Sequence, residues 1–177
     1  MLDVFNPLNA LDNLQAFIAA GGNVLLIIMA VTFVLWLLVL ERVLYFSTSG
    51  SSVRKRAEKE WAARSDHSSW YAHAIRDKSI SEVRQSTNAN LGVIKGLIAI
   101  LPLLGLLGTV TGMVEVFDVM ASTGSSNARL MAGGITKATI PTMAGLVSSL
   151  SGIIMMNFIE PQANRQVRDA THNIEIG

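Results

Sequence analysis

Three long apolar stretches alternate with polar segments along this chain. No charged residue occurs in residues 13–40, 96–114 or 138–159. A helix needs about 20 apolar residues to cross the hydrocarbon core of a bilayer, so each stretch is long enough to do so. The pattern predicts an all-α membrane protein with transmembrane helices at residues 21–46, 92–121 and 129–160.

The charges between these helices predict their orientation. Residues 47–91 contain a cluster of basic side chains, namely Arg54, Lys55, Arg56, Lys59, Arg64, Arg76, Lys78 and Arg84. The positive-inside rule places such a segment in the cytoplasm. The N-terminus is therefore predicted outside and the C-terminus inside, with an outer turn at residues 122–128 and a cytoplasmic tail at residues 161–177.

Helical patterns also occur outside the predicted spans. Residues 1–20 place apolar residues at helical spacing among polar ones, which predicts an amphipathic helix on the outer membrane surface, with a frayed tail as the alternative. The large cytoplasmic loop is predicted to be helical at residues 53–61 and 79–90, and the pattern allows the second of these helices to continue into the second span. Trp61, Trp70 and Tyr71 are expected to pack the loop helices together.

Composition narrows the function. Half of the residues are hydrophobic and 15% are charged, which is typical of a membrane protein and leaves no room for a separate catalytic domain. The absence of cysteine excludes thiolate metal sites and a cysteine nucleophile. No catalytic triad, metal cluster or phosphate-binding loop is evident, so we predict neither an enzyme nor a cofactor. Basic and acidic residues are interspersed, which gives no reason to expect nucleic-acid binding.

The second and third spans are rich in small residues, unlike the first. On the second span, Gly105, Gly108 and Gly112 fall on one face. On the third, a stripe at steps of four and three comprises Ala138, Thr142, Gly145, Ser149, Gly152 and Met156. Small faces let transmembrane helices approach closely, so we expect the second span to pack against other helices, including copies of itself. The hydroxyl-bearing stripe fits either tight packing or the wall of a polar lumen.

Lys137 and two prolines interrupt the apolar pattern. An ionisable side chain within a span usually faces the bundle interior or a wet cavity, although a lysine can also extend to the headgroups. Pro141 and Pro102 cannot donate helical hydrogen bonds, which frees the carbonyls of Lys137 and Ile98. Each proline therefore creates a polar notch or merely kinks its helix.

Residues 104–113 and 134–146 resemble the ExbB/TolQ/MotA family of proton-channel motor subunits, and ExbB proteins in particular. The resemblance covers essentially the whole chain. It implies a homopentamer in the bacterial inner membrane, whose second and third spans surround single-span helices of an ExbD-like partner. Protons, as the coupling ion, would drive this motor to energise a TonB-like protein. The alternatives are a TolQ-like envelope-maintenance motor and a non-conducting membrane scaffold.

The resemblance also implies roles for individual residues. Thr109 and Thr142 match the lumen threonines of the family, and a hydroxyl can both donate and accept a hydrogen bond. Lys137, Thr139 and Ser149 complete the predicted proton pathway. Lys137 departs from the family pattern, because better-known members carry a glutamate there. That departure puts in doubt any mechanism that needs an acid on the third span. The remaining acids nearby are Glu115 and Asp118, which lie toward the outer end of the second span, where a merely interfacial position is the alternative.

Overall fold

Five helices account for nearly all of the chain that the structure, a computed structural model, describes, which is residues 7–48, 50–64, 66, 69–124 and 128–174. The helices are α1 (Pro7–Thr48), α2 (Gly50–Ala62), α3 (Trp70–Asn88), α4 (Leu91–Thr123) and α5 (Ala128–Asn173). Three helical segments are long and apolar enough to cross a membrane: Gly21–Thr48, Trp70–Ser122 and Met131–Asn173. The predicted all-α fold with three membrane-spanning helices is confirmed. The orientation and the pentameric assembly stay predictions.

Helix α1 is interrupted at Gly22, directly before the apolar residues of the first span. The backbone there has φ 65° and ψ −165°, a conformation that residues with a side chain rarely adopt. No neighbouring atom lies within 4 Å of the position that a Cβ would take, so the backbone angle, rather than lack of space, requires glycine. The amphipathic character of residues 1–20 stays a prediction, and residues 1–6 lie outside the described part of the chain.

The chain divides into two compact units. The first unit consists of Met1–Leu35 and Leu97–Gly152, and the second of Trp36–Gly96 and Ile153–Gly177. In the first unit α4 and α5 form an antiparallel pair, because positions further along α4 meet positions further back along α5. Gly112 lies against Ala138, and Ile98 lies against Gly152.

The second unit contains α2, α3 and parts of the longer helices, and it has a hydrophobic core of its own. The buried residues of this core are Ala57, Trp61, Ala72, Ile80, Val83, Ala170 and Ile174. Trp61 is 6% exposed, whereas Trp70 is 83% exposed and Tyr71 is also exposed. The expectation that all three aromatic residues pack the loop helices together is therefore right for Trp61 and wrong for the other two.

Arg42, near the inner end of α1 in the predicted orientation, is buried in the second unit with only 5% of its surface exposed. Its guanidinium donates two hydrogen bonds to Glu41, at 2.6 and 2.5 Å, and a third of 3.1 Å to the carbonyl of Ser86 on α3. Glu41 also accepts a hydrogen bond of 3.3 Å from Asn90, which lies between α3 and α4. These contacts attach α1 to the junction of α3 and α4.

Several helix boundaries differ from the predicted ones. Asn90 has φ 63° and interrupts the helical segment Trp70–Ser122, so the loop helix α3 leads into the second span through a break of residues 89–90. Helix α5 continues without interruption from the third span to Asn173, through most of the predicted tail. Residues 125–127 of the predicted outer turn and residues 175–177 of the tail lie outside the described residues.

Candidate functional site

The small residues of α4 lie where this helix meets α5 of the same chain. A Cβ on Gly145 would approach the carbonyl oxygen of Leu101 to 2.5 Å, and one on Gly108 would collide with the ring of Pro141. A Cβ added to Gly105 would lie 3.0 Å from the Cα of Thr142. One added to Gly112 would lie 2.8 Å from the Cβ of Ala138, and one added to Gly152 would lie 2.7 Å from Cγ1 of Ile98. The glycine faces therefore hold two helices of one subunit together. The expectation that the second span also packs against copies of itself stays a prediction.

Two hydroxyls of α5 reach across this contact to backbone carbonyls of α4. Ser149 Oγ donates to the carbonyl of Ile98 at 2.9 Å, which is the carbonyl that Pro102 leaves without its helical partner. Thr142 Oγ1 donates to the carbonyl of Gly105, also at 2.9 Å. Because an unsatisfied carbonyl is costly away from water, Ser149 explains how α4 continues as a helix through Pro102.

The other two hydroxyls of the predicted pathway bond within their own helices. Thr109 Oγ1 donates to the carbonyl of Leu106 at 2.7 Å, and Thr139 Oγ1 donates to that of Thr136 at 2.8 Å. A hydroxyl whose proton is engaged still accepts hydrogen bonds through its oxygen. Thr109 and Thr142 are half-buried and Thr139 is exposed, whereas Ser149 is buried between the helices. Ser149 is thus the least accessible of the four within the protomer.

Lys137 forms an ion pair that connects α5 to α4. Its Nζ lies 3.9 Å from Oε2 of Glu115, and the side chains are 48% and 70% exposed respectively. Both residues line a pocket of about 420 Å³ together with residues 21–24 of α1 and Thr111. The sequence identified Glu115 only as a nearby acid. The antiparallel register of α4 and α5, seen in the contact between Gly112 and Ala138, brings the two charges together, and knowing that register would have predicted the pair.

A second ion pair joins α4 and α5 in the second unit. Lys95 Nζ lies 2.6 Å from Oε1 of Glu160, and sequence reasoning did not pair these residues. Lys95 and Glu115 flank the charge-free residues 96–114 of α4. At about 1.5 Å per residue this stretch is about 30 Å long, which is close to the thickness of the hydrocarbon core. Charge is therefore confined to the two ends of the membrane-spanning part of α4.

These features describe a multi-pass helical membrane protein whose polar groups sit within and at the ends of a close helix pair. Residues 47–172 match the MotA/TolQ/ExbB proton channel family, and this match covers well over half of the chain. The chain belongs to that family. The predicted family resemblance is confirmed.

Similar proteins are named as biopolymer transport proteins. The chain is 33% identical over 113 residues to biopolymer transport protein exbB1 of Vibrio cholerae, covering 58% of this chain and 50% of that protein. It is 35% identical over 85 residues to an ExbB-like biopolymer transport protein of Synechocystis sp., covering 45% and 40%. It is 29% identical over 86 residues to ExbB of Salmonella typhimurium, covering 49% and 35%. The chain thus spans half or less of the length of these relatives.

Proposed function

We propose that this chain is an ExbB-like subunit of an inner-membrane motor driven by the proton-motive force. In this proposal it assembles as a homopentamer, surrounds the helices of an ExbD-like partner and energises a TonB-like protein for outer-membrane transport. The observation that carries the proposal is the contact between α4 and α5 in a member of a proton channel family. The hydroxyl oxygens of Thr109 and Thr142, each within a charge-free stretch of its helix, remain able to accept hydrogen bonds. A passive scaffold needs tight packing, which the bond from Thr142 to Gly105 also serves, but it has no need for the Thr109 hydroxyl or for Lys137.

The hydrogen bonds in this helix pair are weak compared with the free energy that a proton releases when it crosses the membrane. One elementary charge that crosses a potential of 100 mV releases about 2.3 kcal/mol. A side-chain hydrogen bond between membrane helices contributes on average about 0.6 kcal/mol and at most about 1.7 kcal/mol. The passage of a single proton therefore provides enough free energy to exchange the bond between Thr142 and Gly105 for one with a partner side chain.

The proposal is tested by expressing the chain with ExbD-like and TonB-like partners in a bacterial strain that lacks its own such motor. We expect uptake through an outer-membrane transporter that requires all three proteins and stops when a protonophore collapses the gradient. Native mass spectrometry of the detergent-extracted complex should find five copies of the chain. A complex that assembles without supporting gradient-dependent uptake would favour the scaffold, and restored envelope integrity without uptake would favour the TolQ-like role.

A further inference from the structure

The ion pair between Glu115 and Lys137 is held in register by close helix contacts on both sides. Gly112 lies against Ala138 one turn before Glu115 along α4, and a Cβ on Gly134 would collide with Val116 directly after it. The backbone positions from which the two charged side chains extend are therefore fixed relative to each other. Freedom remains only in the side chains, which are long enough to separate and to meet again.

Stability does not explain this pair. Nζ and Oε2 are 3.9 Å apart, and the side chains are 48% and 70% exposed. Ion pairs this long contribute little to folding, because ordering two long side chains costs entropy that offsets most of the attraction. Ionisable residues within membrane spans are instead associated with ion pathways and proton relays, and Glu115 and Lys137 lie within the predicted spans 92–121 and 129–160.

The pair also lines two pockets. Glu115, Lys137 and Gly112 line both the polar pocket of about 420 Å³ and a pocket of about 210 Å³ with largely apolar walls. The polar pocket reaches along α4 from Glu115 to Gly108, which precedes Thr109 in the chain. On its α1 side it is lined by residues 21–24, where the helix is interrupted at Gly22.

We propose that Glu115 is the group that takes up protons at the outer end of the pathway, and that Lys137 is a positioning residue that holds its carboxylate at the polar pocket. This inference rests on the proposed function and on the predicted orientation, in which the end of α4 that bears Glu115 faces the outside. The proton-accepting acid of this chain would then lie on α4 rather than on α5.

The proton step is a simple exchange. The carboxylate of Glu115 accepts a proton from outside water and becomes neutral, which ends its attraction to the ammonium group of Lys137. The proton then passes to solvent in the polar pocket, and the carboxylate pairs with Lys137 again. Glu115 and Lys137 are the ionisable groups among the residues lining the two pockets, and the lining part of α1, residues 21–24, carries none. Asp118 follows on α4 outside both linings.

The test compares Glu115→Gln with Asp118→Asn in the complete motor. Each change removes one exposed acid from the same end of α4 and keeps the size of the side chain. Proton influx is measured in proteoliposomes containing the motor complex, at fixed membrane potential and several external pH values, and assembly is checked by native mass spectrometry. We expect Glu115→Gln to assemble normally and to reduce influx at least tenfold. Asp118→Asn should retain the influx of the unaltered protein, and Lys137→Met should shift the pH profile.

The outcomes separate this inference from the proposed function. If the unaltered complex conducts no protons, the proposed function fails. If it conducts and Glu115→Gln behaves like Asp118→Asn, the inference fails and the motor proposal stands. Glu115→Asp, which keeps a titratable acid on a shorter side chain, should recover part of the influx. A failure to recover any influx, despite normal assembly, would contradict the assignment of proton uptake to the carboxyl group of Glu115.

Discussion

The contacts that hold each unit together internally differ between the two units of this protein. In the first unit α4 and α5 meet through glycines, Ala138 and Pro141, and hydroxyls bridge from one helix to the carbonyls of the other. In the second unit a buried tryptophan packs with Ile80, Val83 and Ile174, and ion pairs such as that between Arg54 and Asp169 lie at the surface.

The difference fits the predicted surroundings, which are lipid around α4 and α5 in the first unit and water around the α2 and α3 core of the second. Lipid tails are as apolar as leucine side chains, so burying large apolar residues gives membrane helices little reason to associate. Membrane helices therefore associate through close packing of their backbones and through hydrogen bonds. Helices in water gain about 25 cal/mol for each Å² of apolar surface that they bury, which favours large side chains in the core. Helix α5 contributes residues to both units and changes its composition between them.

The largest effect is expected when the close helix contact of the first unit is filled. Gly145→Leu places a large side chain where even a Cβ would approach the carbonyl of Leu101 to 2.5 Å, so we expect α4 and α5 to separate and the protein to be degraded or to aggregate. Gly96→Leu is the control, because no atom lies within 4 Å of its Cβ position. Yield and elution volume in detergent measure the effect, and equal behaviour of the two variants would contradict the packing described here.

In the second unit, the corresponding change is the loss of a large side chain. Trp61→Ala removes a tryptophan that is 6% exposed and should lower the free energy of unfolding by about 3–5 kcal/mol. Trp70→Ala removes a tryptophan that is 83% exposed and should change stability by less than about 0.5 kcal/mol. Limited proteolysis of α2 and α3 monitors this unit directly. Similar protection of both variants would show that Trp61 is not a core residue.

A smaller effect is expected at Arg42. Arg42→Met keeps an apolar stem but removes the side-chain donor to the Ser86 carbonyl and leaves Glu41 with only the bond from Asn90, so stability should fall by about 1–3 kcal/mol. Arg56→Met also removes an arginine paired with a glutamate, but this pair is exposed and its loss should have no measurable effect. Thermal melting of the helical circular-dichroism signal compares them. Equal melting temperatures would mean that Arg42 does not secure the junction of α3 and α4.

The sequence was sufficient for the three spans and for the small faces of the second and third, because length and residue size are read directly from it. It did not specify what each small face contacts. A glycine face such as that of Gly105 and Gly108 serves a neighbouring subunit as well as another helix of its own chain, and spacing is the same in both cases. The pairing of Glu115 with Lys137 depends on the antiparallel register of α4 and α5, which no single helix reveals.

Two further features show where local patterns are insufficient. The sequence indicated that Pro102 frees the carbonyl of Ile98, but not that Ser149 of another helix donates to it. Trp61 and Trp70 are the same residue type in adjoining helices, and only tertiary packing buries one and exposes the other. The break at Asn90 depends on a left-handed backbone conformation that asparagine permits without requiring it.

The central claim is that the helix pair of the first unit serves both packing and proton passage, and Thr142→Val compared with Ser149→Ala tests it most directly. Each change removes one 2.9 Å hydrogen bond from α5 to a carbonyl of α4. Thr142→Val should lower stability by about 0.6–1.7 kcal/mol, and Ser149→Ala by more, about 1–3 kcal/mol, because the Ile98 carbonyl that Pro102 frees then has no donor. The sequence predicted both hydroxyls on the proton pathway, but Ser149 is buried against Ile98, so Ser149→Ala should preserve gradient-dependent uptake. Thr142→Val should abolish it at equal oligomer yield. Uptake that survives in both variants would contradict the claim and reduce both hydroxyls to packing residues.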